Sequence, residues 1–444
     1  MAKVFPFRAL RYNPSKVKPA EVVTQPYDKI TPDMQDRYYA ASPYNLVRVI
    51  LGKPQSADNE RESVYTRAAA CVHEWRAGDV LVPDAEPSIY VYTQTFRMPG
   101  DSSSAVMERR GFIALGQVED YDQKVVFRHE QTLSKPKADR LNLLRATQTH
   151  FGQLFMLYGD PSAEIEGVLR PSVAPTVEVR DEYDVLHRMW KISDPATIQA
   201  VQAKMADKKL IIADGHHRYE TALNYRNGMR KQPGGDSSAP YERVMMTFVN
   251  MDSPGLVILP THRVVFGLEN FSIFEMVGKL QVNFEVEDIG PLTETEDALE
   301  RLRQAGKDRT ALLAVTSYGG FLLRSRSELK WNGATGLSER QRALDVVQLH
   351  KLVLEGALGL SEDDIRDQKH LRYQRDAREA VNEVAQGANA VFLMNPVRME
   401  QVRDLAFAGE VLPQKSTDFY PKLLSGLVGY SLEEAAHSSA PGRH

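Results

Sequence analysis

Apolar and polar positions along the chain follow two periods, one of about two residues and one of about 3.6. Ser88–Phe96 (SIYVYTQTF) alternates as a half-buried strand, and after the polar tip PGDSSSA the run RRGFIALGQVE returns, so a hairpin is expected. Val22–Ile30, broken by Pro26, and Asn45–Leu51 (NLVRVIL) also read as strands. Between them TPDMQDRYYAA opens a helix, with Thr31 or Asp33 as cap and Pro32 in its first turn. Val64–Trp75 has helical spacing. Val125–Arg145 reads as a strand end, a charged loop holding Pro136 and a helix starting near Asp139. QLFMLYG is a strand, SVAPTVEVRDEYDVLHRMWKI a hairpin, and PATIQAVQAKM a helix. Lys209–Leu223 (KLIIADGHHRYETAL) then gives a short buried strand, a turn at Asp214–Gly215 and a second helix. VMMTFVNM and LVILPTHRVV follow as strands.

Near Asn270 the pattern changes. Helical spacing at Ile273–Leu280, Glu294–Gln304, Leu344–Leu358 and Asp376–Gln386 is interleaved with the apolar runs LLAVTS, GFLLRS and AVFLMN. The expected architecture is mixed α/β (α+β). A first domain spans residues 1–270, a second α/β domain 271–432, and a flexible polar tail 433–444.

Composition narrows the classes. At 444 residues the chain exceeds one ordinary core, and 42% apolar with 26% charged residues is the profile of a globular protein. A formal net charge of −4 lacks the basic excess of a generic nucleic-acid binder, so no nucleic-acid partner is expected. The single cysteine, Cys71, excludes an intramolecular disulfide and a cysteine-based metal site, and its helical neighbours make it a small buried hydrophobe. The N-terminal MAKVFPFRAL has no long apolar run, and no stretch approaches a membrane span. The expected location is the cytoplasm, with no membrane partner.

The strand–turn–helix at Lys209–Leu223 carries the most chemistry. Asp214 is a favoured helix cap, and Gly215 lets the backbone take a positive φ or approach a ligand closely. A helix N-terminus offers unpaired donors and partial positive charge to a phosphate. His216, His217 and Arg218 add cations where the helix dipole opposes them, by a few tenths to roughly 1 kcal/mol each. An anion there would offset that cost. A capped helix with an exposed polar first turn is the plainer explanation, and His–His spacing here does not suit a metal.

A second cluster, Arg128–Arg140, gathers Arg128, His129, Glu130, Thr132, Lys135, Lys137, Asp139 and Arg140. Lys135, Lys137 and Arg140 could neutralise phosphates, while His129 and Glu130 could serve as base or help hold Mg²⁺; a solvated loop is the alternative. Asp28 in PYD, at a strand end, is a candidate base or a turn residue. His262 and Arg263 in LPTHRVV could equally form an edge-strand ion pair. Lys415, Ser416, Thr417 and Lys422, in LPQKSTDFYPKLLSGLV, form a hydroxyl–lysine cluster without the glycines of a P-loop.

FPFRALRYNP, VVTQPYDKI, ASPYNLVRVI, RHEQTLSKPKADRLNLL, IIADGHHRYETAL, LPTHRVV and LPQKSTDFYPKL, in this order, resemble the bacterial family called domain of unknown function 1015. The resemblance runs from Phe5 to about Val428 and conveys no activity. The strand–DGxHR–helix element also resembles the box of the ParB/sulfiredoxin superfamily, which binds nucleotide phosphates at a helix start. The resemblance implies a ParB/sulfiredoxin-like first domain. Sulfiredoxins place a reactive cysteine beside this box, where here Ala213, Asp214 and Gly215 stand. Partition proteins carry E-R-R instead. Free L-serine kinases carry D-G-x-H-R, and Asp214, Gly215, His217 and Arg218 match it position by position.

The resemblance therefore implies an ATP-dependent phosphotransferase for a small hydroxylated metabolite, free L-serine leading, with Mg²⁺ as cofactor. Asp214, Gly215, His216, His217, Arg218, Lys135 and Arg140 would hold nucleotide and phosphate, with Asp214 also on Mg²⁺. Glu130, Asp28 and His217 would be catalytic. His129, Thr132, His262, Arg263, Lys415, Ser416, Thr417 and Lys422 would contact substrate or belong to the second domain, which either closes over the site or forms a homodimer. The alternatives are a non-catalytic nucleotide-binding regulator and a metal-assisted phosphoesterase built on His129, Glu130, Asp214 and His216.

Overall fold

The computed structural model describes residues 1–101, 103–130, 134–233, 235–292, 294–331 and 336–439, without the side chains of 134–136 and 437–439. The fold is mixed α/β, and it divides into two compact units. One comprises Met1–Arg128, Thr132–Val257 and Pro421–His444; the other comprises His129–Gln131 and Ile258–Tyr420. The division falls before the change of pattern at Asn270, because the strand His262–Val265 pairs with Leu371–Gln374 and Ala390–Met394. The chain returns to the first unit at Pro421. The helix Leu432–Ser439 runs into the span expected as a tail.

The first unit is built on a nine-stranded sheet. Its path runs Val126–Phe127, Leu210–Asp214, Leu154–Tyr158, Arg243–Asn250, Met107–Gln117, Ile89–Phe96, Leu186–Ile192 and Val177–Arg180, with Val4–Phe5 pairing beside Met107–Gln117. Two pairings are parallel, Leu210–Asp214 with Val126–Phe127 and Arg243–Asn250 with Leu154–Tyr158. Alternate residues such as Val91, Phe112, Met156, Ile212 and Met246 share one core with Ile198, Val201 and Tyr219 of the helices Pro195–Met205 and His216–Arg230. That alternation is the period-two pattern of a sheet covered by helices. A second apolar cluster gathers Val22, Val49, Trp75 and Leu143 of the N-terminal helices and Ser134–Thr147 together with Leu46 and Phe151.

In the second unit a six-stranded antiparallel sheet has apolar clusters on both faces. Leu312, Ala314 and Phe392 pack toward Met276 and Leu349, while Leu313, Val391 and Leu393 pack toward Leu302 and Ala380. The expected helix Leu344–Leu358 opens with a turn at Asp345–Gln348 and widens into a π-helix over Leu349–Glu355.

Several local expectations are corrected. Asn45–Leu51 is not a strand: Val47–Ile50 forms one helical turn. The Asn45 side-chain oxygen accepts from Val47 N–H at 3.0 Å, and Leu46 N–H donates to Val22 O at 3.0 Å. Side-chain bonds of this kind compete with the ladder that the β-branched run favours. Val22–Ile30 is likewise not a strand; Pro19–Val22 is helical, Thr24 makes a single bridge to Ser425, and Tyr27–Lys29 is a 3₁₀ turn. The helix expected near Asp139 already begins at Ser134.

Candidate phosphate-binding site

The site starts where strand Leu210–Asp214 ends. Leu210 and Ile212 are buried in the core, and a register shift between Ile212 and Asp214 leaves the last residue of the strand out of step. Gly215 follows with φ +96°, a conformation open to glycine at little cost, and serves as the helix cap. Asp214 is therefore not the cap that its position suggests: Gly215 holds that position. Its carboxylate instead faces Lys422 Nζ at 3.1 Å and Arg218 Nη2 at 3.6 Å. Burial alone would raise this carboxyl. The charges of Lys422, Arg218 and Lys29 outweigh burial and hold it well below the usual carboxylate range.

Helix His216–Arg230 turns Tyr219 and Ala222 into the core, which leaves His217 and Arg218 half-buried at the strand–helix corner. Arg218 folds back over the turn and donates from Nη1 to Gln153 O. A Cβ on Gly215 would lie 3.0 Å from Arg218 Nε and from Leu154 Cδ2, so only glycine admits this close return. Thr221 donates to His217 O at 2.8 Å. His216 is buried.

Lys422 reaches Asp214 because buried polar groups hold the returning segment. Arg109 donates to Pro421 O, Gln94 Nε2 to Lys422 O at 2.7 Å, and Gln153 Nε2 to Leu424 O at 2.9 Å. Leu424 N–H donates to Tyr92 Oη at 3.4 Å. Gln153 thus ties the segment carrying Lys422 with its side chain and accepts from Arg218 with its carbonyl.

Four sequence motifs meet beside this corner. A small cleft of about 60 Å³ is lined by Pro26, Tyr27, Arg140, Gly152, Arg218 and Ser425, among others. The Arg140 guanidinium lies over the Tyr27 ring at 4.1 Å, donates to Ile50 O at 2.7 Å, and pairs with Asp139 through Nε at 2.8 Å. Asp28 is exposed on the same turn as Tyr27. One helical turn beyond His216, Glu220 takes Lys137 at 2.8 Å and Arg128 at 3.6 Å. Lys29, Gln153 and Glu220 were not singled out from the sequence. Lys29 adjoins the PYD motif, and Glu220 stands one turn along the box helix, so both were within reach. Gln153 sits in an apolar strand run that shows nothing of its role.

His129, Glu130, His262, Arg263 and Lys415–Thr417 fall in the second unit. His129 is buried, with Nε2 at 2.8 Å from Thr417 Oγ1, and Glu130 accepts from Lys415 N–H at 2.9 Å. Ser416 donates to Pro413 O at 2.5 Å. His262 and Arg263 form no edge-strand ion pair, since the strand is interior and both are buried. Met394 N–H donates to His262 Nδ1 at 3.2 Å. Arg263 lies over Tyr373 at 4.9 Å and donates to Thr261 O and Lys415 O. Burial pushes its guanidinium down to about 10. Lys422, grouped by sequence with Lys415–Thr417, belongs to the first unit. Thr132 and the side chain of Lys135 lie outside the described residues. Among the described residues no three His, Cys, Asp or Glu side chains gather as a metal site. No helix among them is long and apolar enough to cross a membrane.

Residues 4–347, more than half of the chain, match the family described as protein of unknown function (DUF1015). The chain belongs to the DUF1015 family. No curated protein matches this DUF1015 chain. Among solved structures it is similar to a conserved hypothetical protein from Pyrococcus furiosus, with 14% identity, a TM-score of 0.36, and coverage of 70% of this chain and 94% of that one. It is also similar to a free serine kinase in complex with AMP, at 17% identity and a TM-score of 0.35, covering 70% and 90%. A third is C-terminally truncated SbnI from Staphylococcus aureus, at 10% identity and a TM-score of 0.35, covering 71% and 86%. Scores and identities this low define no shared function.

Proposed function

We propose that this DUF1015 protein is an ATP-dependent phosphotransferase acting on a small hydroxylated metabolite, with free L-serine the leading acceptor. The observation that supports it is the convergence of Lys29, Arg218 and Lys422 on one ionised carboxylate, Asp214, at the start of a helix. Three cations around one anion leave an excess of positive charge, and the first-turn N–H groups add donors. Phosphoryl transfer needs mainly such positioning and charge stabilisation.

In this reading Gly215 and the N–H groups of His216–Arg218 hold the nucleotide phosphates. Arg218 exchanges its carbonyl for phosphate as a bidentate clamp. His217 donates to the transferring group, and Arg140 and Lys135 neutralise the remaining charge. Asp214 is the hard oxygen donor that would hold Mg²⁺; nucleotide-bound Mg²⁺ takes one or two carboxylates and completes its shell with phosphate and water. The metal would supply charge neutralisation to the phosphates. Asp28 orients or deprotonates the acceptor hydroxyl, and the location is cytoplasmic.

The test is turnover of ATP with a panel of amino acids and polyols, read as ADP and phosphorylated product. Product with a hydroxylated acceptor is expected. ATP that binds and persists with every acceptor would leave a nucleotide-binding regulator instead.

A further inference from the structure

A larger pocket adjoins the phosphate cleft within the first unit. It has a volume of about 300 Å³ and is walled by Ile30, Val49, Leu51, Pro54, Val64 and Tyr65. Ile50, Arg140 and Leu143 line both spaces. Arg140 is fixed as the element they share. Its guanidinium rests on Tyr27, bonds Ile50 O, and pairs with Asp139, whose other oxygen accepts from Tyr65 Oη at 2.8 Å. Arg140 therefore offers a fixed positive charge where the apolar pocket and the cationic cleft meet.

An apolar space with a few placed polar groups is the usual form of a small-molecule site, and this volume lies at its lower bound. A small hydroxylated acceptor has little surface to bury against aliphatic walls. A planar base has two apolar faces, and its phosphates would extend past Arg140 toward Arg218. Gln35, also in the lining, donates its amide nitrogen to Leu51 O at 2.7 Å. That bond fixes which end is nitrogen and leaves Oε1 to accept from a donor on the ligand.

The geometry points to this pocket as the nucleobase subsite of the proposed nucleotide site, with Gln35 Oε1 accepting from an N–H on the base edge. This assignment rests on the phosphotransferase reading, since it takes the cleft at Arg218 as the place of the phosphates. It adds where the base lies, what walls it, and which residue reads its edge.

Calorimetric titration of the full chain with inorganic tripolyphosphate and ATP tests it. ATP is expected to bind about tenfold more tightly than tripolyphosphate, near the lower range of base stacking. Val64→Trp, which fills the pocket, should abolish that advantage while leaving tripolyphosphate affinity unchanged; the unchanged arm shows that the variant folds. Gln35→Leu should reduce the advantage of ATP over tripolyphosphate while leaving tripolyphosphate affinity unchanged. Equal affinity of the wild type for ATP and tripolyphosphate, or an ATP advantage that survives Val64→Trp, overturns the subsite and leaves the phosphate site standing. Failure of both ligands to bind the wild type overturns the phosphate site and the subsite with it.

Discussion

Arg218 is where the chemistry of the site concentrates. Among the described residues it bonds a backbone carbonyl and faces a carboxylate at 3.6 Å, so the guanidinium is held by contacts that a phosphate could replace. Charge-assisted bonds of this kind are worth roughly 1.5–3 kcal/mol. Arg218→Ala should therefore weaken tripolyphosphate or ATP binding by about that amount, and Arg218→Lys should restore part of it, because lysine keeps the charge without the fork. Calorimetry reads both. An unchanged affinity in Arg218→Ala removes the clamp from the proposal. At this scale the sequence displayed the residues well: Asp214, Gly215, Arg218 and Arg140 stand in motifs whose chemistry can be named from residue type alone. The partner of Asp214 could not be named so. Lys422 lies far along the chain and comes to it through bonds from Arg109, Gln94 and Gln153 to backbone carbonyls, which leave no sequence pattern.

At the level of elements, the strand–turn–helix depends on one positive φ. Gly215→Ala would strain the left-handed turn by about 1–2 kcal/mol and drive a methyl into Arg218 and Leu154 at 3.0 Å. Stability should fall by at least that strain, and phosphate affinity should fall as well, since Arg218 is displaced from its fold-back. Urea unfolding with a parallel titration checks the pair; a variant of wild-type stability would mean that the turn does not need glycine. The elements that pattern reading recovered are those whose period is imposed by a broad apolar contact, such as Ile89–Phe96, Leu154–Tyr158 and Pro195–Met205. Asn45–Leu51 failed for a physical reason: seven residues are too few to fix a period, and Asn45 with Val22 O supplied local bonds for a helical turn. Pro26 likewise marked a break, but not that the chain would leave it as a 3₁₀ turn beside Arg140.

For the molecule as a whole, both units carry buried imidazoles that stay neutral. His187 in the first unit is held below its ordinary value by burial, which outweighs the carboxylate of Asp181 at 3.1 Å. In the second, burial and then the neighbouring Arg263 hold His350 well below its ordinary value and His262 at about 4. For each of them the folded value lies below the unfolded value near 6.5. Stability is then complete above pH ~6.5 and is lost as pH falls, because the unfolded chain takes up protons that the folded chain refuses. His262 alone should remove about 3 kcal/mol between pH 6.5 and 4. Acid sensitivity should thus begin near pH 6, above the range in which carboxylates titrate. His262→Gln keeps an acceptor for Met394 N–H and has no proton to gain. Its urea midpoint at pH 7.5 should lie below or near that of the wild type, with a shallower fall toward pH 5. Parallel slopes in the two proteins would show that His262 does not titrate on unfolding, and the acid sensitivity would then come from other depressed groups, His150, His187 and His350 among them.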